Sequence, residues 1–231
     1  MVPDVDARTP RFLTVAFDVD STLSSIEGID WLAGRKGADV AERVAKLTAA
    51  AMTGDIALEL VYGVRLSTVA PTRDDVAALA RAYCTELAPG AKRCLAALRQ
   101  NGVRVLIVSG GLRQAILEVA QELGVADSDV YGVPLAFSGD AYAGYDATSP
   151  LTQSAGKSEL LASLAPTLPR PILHVGDGVT DAATRDVVDG FAAYTGFVTR
   201  DGVVARADFV VASFDALLDL VVGTQTQSLG A

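Results

Sequence analysis

Three apolar runs in this chain stop abruptly at polar and glycine residues. Phe12-Leu13-Thr14-Val15-Ala16 runs into Phe17-Asp18-Val19-Asp20-Ser21-Thr22, residues 103–108 run into Ser109-Gly110-Gly111, and Ile172-Leu173-His174-Val175 runs into Gly176-Asp177-Gly178-Val179-Thr180-Asp181. Short runs of this kind, without polar alternation and separated by helical patterns, read as parallel strands buried on both faces. Open α/β sheets bind ligands at the carboxyl ends of such strands. All three polar clusters are thereby sent to one edge of one sheet.

The stretch after the first run has a different rhythm. Between residues 26 and 87 apolar side chains recur at helical spacing with no strand-like alternation. Two helices fit residues 26–52 with Gly34 and Gly37 as the break, a third fits 55–66, and a fourth fits 72–87, opened by Pro71-Thr72-Arg73-Asp74. Further on, residues 130–137 and 142–145 flank Ser138-Gly139-Asp140, a hairpin signal inside the strand and helix alternation. The expected fold is α/β: a doubly wound, Rossmann-like parallel sheet with a small helical cap inserted after the first strand. The expected core comprises residues 1–22 and 84–231, and the cap residues 23–83.

Half of the 231 residues are apolar, enough for a sizeable core. The formal net charge of -9 argues against nucleic acid and anionic membrane as partners, because both require a basic surface. No apolar run approaches the roughly 18 residues of a membrane span, and residues 2–11 are polar rather than signal-like. A cytoplasmic monomer or homodimer is expected. Cys84 and Cys94 form no CxxC pair and read as idle thiols. The single histidine, His174, lies within a strand run and reads as a hydrogen-bonded core residue rather than a metal ligand.

The chemistry begins with Asp18 and Asp20. In an extended strand they would face the same way, and their repulsion needs a proton, a cation or both. The plainer alternative is a strand end entering a loop, with aspartate as turn former and Thr22 as a helix N-cap. Other groups at the same edge decide between the two. Asp177, Asp181 and the helix-opening Lys157 join Asp18 and Asp20, a set whose excess negative charge suits Mg²⁺ and a small anionic phosphomonoester. In that arrangement Asp18 attacks phosphorus, Asp20 moves protons, and Lys157 with the Ser109 hydroxyl holds phosphoryl oxygens. Amides after Gly110-Gly111 assist at a helix start, Asp177 completes the metal shell, and Asp181 orients Lys157 or a metal-bound water.

The order DxDxT, Ser-Gly-Gly, Lys, Gly-Asp-Gly-x-x-Asp resembles the haloacid-dehalogenase superfamily of aspartate-nucleophile phosphatases. With Glu27-Gly28-Ile29-Asp30, Met52-Thr53-Gly54, Arg65-Leu66 and Gly144-Tyr145-Asp146 added, the chain is similar to the phosphoserine phosphatase family over residues 12–214. The resemblance implies that Glu27 takes a substrate ammonium, Arg65 a carboxylate, and that Met52 lines the pocket. It also implies the Asp20 carbonyl as a metal ligand beside Asp18 and Asp177, and places Thr180 and Arg200 around substrate. An arginine fork suits a carboxylate in a way lysine does not. Leu58, Leu112 and Thr53 depart from the family pattern and bear on substrate closure and selectivity. The implied reaction is Mg²⁺-dependent hydrolysis of O-phospho-L-serine through an aspartyl phosphate. Alternatives are a related phosphatase or phosphotransferase for another small phosphomonoester, and a phospho-acceptor signalling module.

Overall fold

The computed structural model describes residues 9–53 and 55–223. Strand β1 (Thr14–Phe17) is followed by four helices, α1 (Gly28–Lys36), α2 (Ala38–Thr53), α3 (Leu58–Val69) and α4 (Arg73–Thr85). Helix α5 (Ala91–Gln100) then leads to β2 (Arg104–Leu112), α6 (Arg113–Leu123), β3 (Val130–Val133), β4 (Leu135–Ser138) and β5 (Ala141–Tyr145). The chain continues through α7 (Gly156–Leu164), β6 (Ile172–Gly176), α8 (Val179–Ala182), β7 (Gly190–Tyr194), α9 (Asp201–Val204), β8 (Phe209–Val211) and α10 (Phe214–Val222).

Six strands form one parallel sheet in the order β3-β2-β1-β6-β7-β8. The winding reverses on either side of β1, which pairs Phe17 with Ile107 of β2 and with Val175 of β6. A crevice at the carboxyl end of β1 follows from that reversal alone. The strand is buried on both faces, as its uninterrupted apolar run requires. The doubly wound sheet expected from the alternation is present.

The four helices between β1 and α5 leave and rejoin the core at a narrow neck. Ser24 and Leu87 form an isolated antiparallel bridge, with Ser25 N donating to Glu86 O at 3.0 Å and Ala88 N to Leu23 O at 2.8 Å. Helix α4 packs on α6, with Val76, Leu79, Ala80 and Tyr83 buried, so the last helix of the insertion leans on the core. The first break falls at Gly37, between α1 and α2, and α3 starts at Leu58 rather than at 55.

Two strands differ from the sequence expectation. The run 130–137 is not one arm of a hairpin: Pro134, with no N–H to donate, ends β3, which pairs with β2, and β4 begins anew to pair with β5. The hairpin reaches the insertion, where Arg73 stacks over Phe137 and donates to Gly139 O at 2.9 Å, and Tyr145 packs edge-on against Tyr62. Strand β2 does not stop at Ser109 but continues to Leu112 with a register shift after Val108. Such an irregularity re-aims side chains at a strand end.

Thr72 caps α4, its hydroxyl accepting from Asp75 N while the Asp75 carboxylate accepts from Thr72 N. Burial pushes the Asp75 carboxyl up, but Lys36 and the Thr72 amide and hydroxyl outweigh it and hold it at about 2, below the ordinary 3.8. Thr72→Ala should cost about 1 kcal/mol, read as a lower urea midpoint at unchanged slope. A depressed carboxylate stabilises fully above its unfolded value and ceases to do so as pH falls through its folded one. The deficit of Asp75→Asn should therefore be full above pH 3.8 and vanish towards pH 2, measured by urea unfolding across that range.

Candidate active site

Asp18 extends the β1 ladder by one residue, its amide donating to Val175 O at 2.9 Å. Immediately after it the chain turns. Ser21 sits at φ 51, and the turn through Val19–Leu23, rather than a strand pleat, brings Asp20 to the same cavity as Asp18. Thr22 is not a helix cap. Its hydroxyl donates to Asp177 Oδ1 at 3.2 Å and so ties the turn to the end of β6.

Lys157, in the first turn of α7, is buried between two carboxylates. Its Nζ lies 2.9 Å from Asp18 Oδ2 and 2.6 Å from Asp181 Oδ1. Burial opposes the ammonium, but Asp18 and Asp181 more than restore it, and the lysine is held charged. Asp181 has no free oxygen: Oδ1 also lies 2.7 Å from His174 Nε2, and Oδ2 accepts from Gly178 N at 2.9 Å. Burial alone would raise its carboxyl, yet Lys157 and His174 bring it down to about 2. Gly176 makes the approach possible, because a Cβ there would fall 2.1 Å from Asp181 Cγ. His174 is the hydrogen-bonded strand histidine expected, with Asp181 as its partner.

Asp18 keeps one oxygen bare. Oδ1 is buried without a hydrogen-bond partner, and burial pushes this carboxyl up against the opposing pull of Lys157. Asp18, Asp177 and Asp181 each place a carboxylate oxygen within 4.8 Å of the others. With both oxygens of Asp181 engaged, the bare oxygen of Asp18 is the one that fits a hard cation as it stands, and Asp177, whose Oδ1 accepts from Thr22 and whose Oδ2 meets Arg200, would join it only by exchanging one of those partners. Asp177 is paired with Arg200, whose Nη2 also lies 3.7 Å from Glu27 Oε1.

The cavity in front of Asp18 has a volume of about 360 Å³ and is lined by Asp20, Glu27, Arg65, Ser109, Gly110, Lys157, Asp177 and Thr180. Gly111 lies behind it, its amide donating to Ser109 Oγ at 3.1 Å. Arg200 reaches the site through Asp177 and Glu27. Met52 belongs to α2, and its side chain lies outside the described residues. Leu58 lines the wall, whereas Leu112 is fully buried and Thr53 is exposed.

The insertion contributes the opposite wall. Arg65, from α3, is 5% exposed; its Nη2 donates to Asp30 Oδ2 at 3.1 Å, and its Nε has no partner. Asp30 is fixed in turn by Thr48 Oγ1 at 2.5 Å. Glu27 accepts from Ser21 Oγ at 2.8 Å, and burial raises its carboxyl. Tyr62 donates to Gly110 O at 2.7 Å and links α3 to the Ser109-Gly110-Gly111 segment. Asp20 accepts at Oδ1 from Gly28 N at 3.2 Å and from the Tyr83 hydroxyl. Burial, then Glu27 and Asp18, raise the Asp20 carboxyl well above the usual range, and burial keeps the Tyr83 phenol protonated. Tyr62 and Tyr83 carry no motif signal, and Asp30 stands in the Glu27-Gly28-Ile29-Asp30 stretch without a role that the stretch reveals, since each acts across a contact between separate elements.

A doubly wound sheet with a buried aspartate at its switch point, a lysine against it and an acidic cluster behind defines a hydrolase class. The model of haloacid dehalogenase-like hydrolases matches residues 12–184, and the chain belongs to that family, whose members use a divalent metal. Among its relatives, phosphoserine phosphatase of Bos taurus is 34% identical over 207 residues, covering 88% of this chain and 91% of the relative. The chloroplastic phosphoserine phosphatase of Arabidopsis thaliana is 34% identical over 209 residues, covering 89% and 70%. A phosphoserine phosphohydrolase-like protein from Francisella tularensis superposes with a TM-score of 0.82 at 23% identity, covering 90% of this chain and 98% of that one, which shows the shared fold. Among the described residues no helix is long and apolar enough to cross a membrane.

Lys157→Met would leave Asp18 and Asp181 buried around an uncharged side chain. Removing one member of a buried ionic cluster costs about 3–5 kcal/mol. Urea unfolding at neutral pH should show a loss of that size, far above the few tenths typical of an exposed lysine.

Proposed function

We propose that this chain is a Mg²⁺-dependent phosphatase that hydrolyses O-phospho-L-serine to serine and phosphate, the closing step of serine synthesis. The observation that carries the reading is Asp18: one oxygen held by Lys157, the other bare, facing a cavity whose far wall carries Glu27 and Arg65. Phosphoserine has an ammonium and a carboxylate besides its phosphate. Glu27 supplies an acid for the first, and Arg65, with a buried Nε still to be satisfied, a fork for the second. Asp30 aims that fork.

Asp18 attacks phosphorus and forms an aspartyl phosphate as the serine oxygen leaves. Asp20 gives that oxygen a proton, then takes one from the water that attacks the aspartyl phosphate, releasing phosphate and restoring Asp18. Lys157, fixed by Asp181 and His174, holds the phosphoryl oxygens together with the Ser109 hydroxyl and the Gly110 amide. Thr180 and Arg200 complete the substrate's surroundings. Asp18, Asp177 and the Asp20 carbonyl would hold Mg²⁺, which supplies positive charge against the phosphate and the carboxylates. Residues 23–83 serve as a cap over the 1–22 and 84–231 core, excluding water from the first displacement. A cytoplasmic enzyme is the matching location.

The deciding assay is phosphate release from phosphoserine and a panel of other small phosphomonoesters, with and without Mg²⁺. Phosphoserine should be preferred and chelation should abolish turnover; equal rates across the panel would instead favour a broader phosphatase, and no release at all would end the reading. Asp18→Asn should leave no detectable turnover. Arg65→Ala should raise KM for phosphoserine about tenfold or more while sparing a phosphomonoester without a carboxylate. Equal weakening of both substrates would contradict the role given to Arg65.

A further inference from the structure

Asp20 is gripped on one side only. Its Oδ1 accepts from Gly28 N at 3.2 Å and from the hydroxyl of Tyr83, while among the described residues no hydrogen bond reaches Oδ2. Tyr83 comes from α4, on the far side of the insertion in sequence, and is fully buried. Its phenol passes through a slot that only a glycine leaves open, since a Cβ on Gly28 would fall 2.0 Å from the phenol oxygen. The reaction described above assigns Tyr83 nothing.

A carboxylate oxygen has two lone-pair sites, and at Oδ1 both are taken by donors that have no other partner. A proton placed there would displace one of them and leave a buried donor unpaired, which is costly. The transferable proton is therefore confined to Oδ2, the oxygen of this cavity-lining carboxyl that no donor occupies among the described residues. We propose that Tyr83 is a positioning residue that anchors Oδ1 of Asp20 so that Oδ2 alone delivers the proton to the leaving serine oxygen. As the O–P bond breaks, its electron pair stays on the serine oxygen, the Oδ2 proton goes to that oxygen, and Asp20 is left as a carboxylate still held at Oδ1. The inference rests on the reading of Asp20 as the acid of a phosphatase.

Tyr83→Phe keeps the ring and removes the anchor. The test compares phosphoserine, whose alkoxide must be protonated to leave, with p-nitrophenyl phosphate, whose phenolate leaves unaided. General acid catalysis contributes about 10²–10⁴-fold, and loss of its aim should take a tenfold or larger share. The expected result is a kcat/KM on phosphoserine lowered about tenfold or more, and a fall of similar size in the ratio of the two substrates' kcat/KM values, because kcat/KM reports the first displacement whereas the second, in which Asp20 acts as base, is common to both. Equal loss of kcat/KM on both substrates, or an unchanged kcat/KM on phosphoserine, would overturn the proposal while leaving the phosphatase reading intact. In the Asp20→Asn background the added Tyr83→Phe should change phosphoserine turnover by less than twofold, whereas multiplied losses would show Tyr83 acting elsewhere and overturn it. Failure of the wild-type chain to release phosphate from either substrate would remove the reaction and this role together.

Discussion

The ammonium of Lys157 is the charge on which the catalytic edge depends. Asp18 and Asp181 end up buried within a few ångströms of one another, an arrangement that two carboxylates cannot hold unaided. One lysine, bonded to both, makes it tenable. The division of labour follows from how completely each acid is satisfied. Asp181, with both oxygens occupied and His174 behind it, is a fixed counter-charge; Asp18 keeps one oxygen bare, as the nucleophile proposed above requires. A buried cluster of this kind contributes little to net stability, because desolvation offsets the attraction, so its value lies in fixing geometry.

Topology explains why such distant residues meet. The winding of the sheet reverses at β1, so no helix covers the carboxyl ends of β1 and its neighbours, and Asp18, Ser109 and Asp177 stand around the gap. The insertion then roofs that gap. Its contribution is chemical as well as steric, since Glu27, Arg65 and Asp30 bring to the opposite wall the mixed charge that an amino-acid substrate would need.

Residues that close an apolar run were legible from the sequence. Asp18, Ser109 and Asp177 announce themselves because a buried strand tolerates polar groups only where it ends, and Lys157 because it opens a helix. The partners that aim these groups were not legible. Asp30 holds Arg65 from 35 residues away and Tyr83 holds Asp20 from 63, each between separate elements, and helical periodicity reports which face is apolar without saying what it meets. The same limit hid the junction at Pro134, where two strands of different sheets share one apolar run, and the continuation of β2 through Ser109-Gly110-Gly111, where bulged backbone replaces a clean strand end. Thr22 shows the same limit: a threonine before a helix allows a cap, yet here its hydroxyl meets an aspartate 155 residues on.

The neck at Ser24 and Leu87 is thin, two chain crossings joined by a few backbone bonds, and on its own would act as a free pivot. The β4–β5 hairpin removes that freedom. Arg73 grips its tip and Tyr62 meets Tyr145 near its base, so the insertion is attached at a second point remote from the neck. The packing of α4 on α6 and the bond from Tyr62 to Gly110 add further attachments, so the roof is braced against the core at several separated places rather than hung from one.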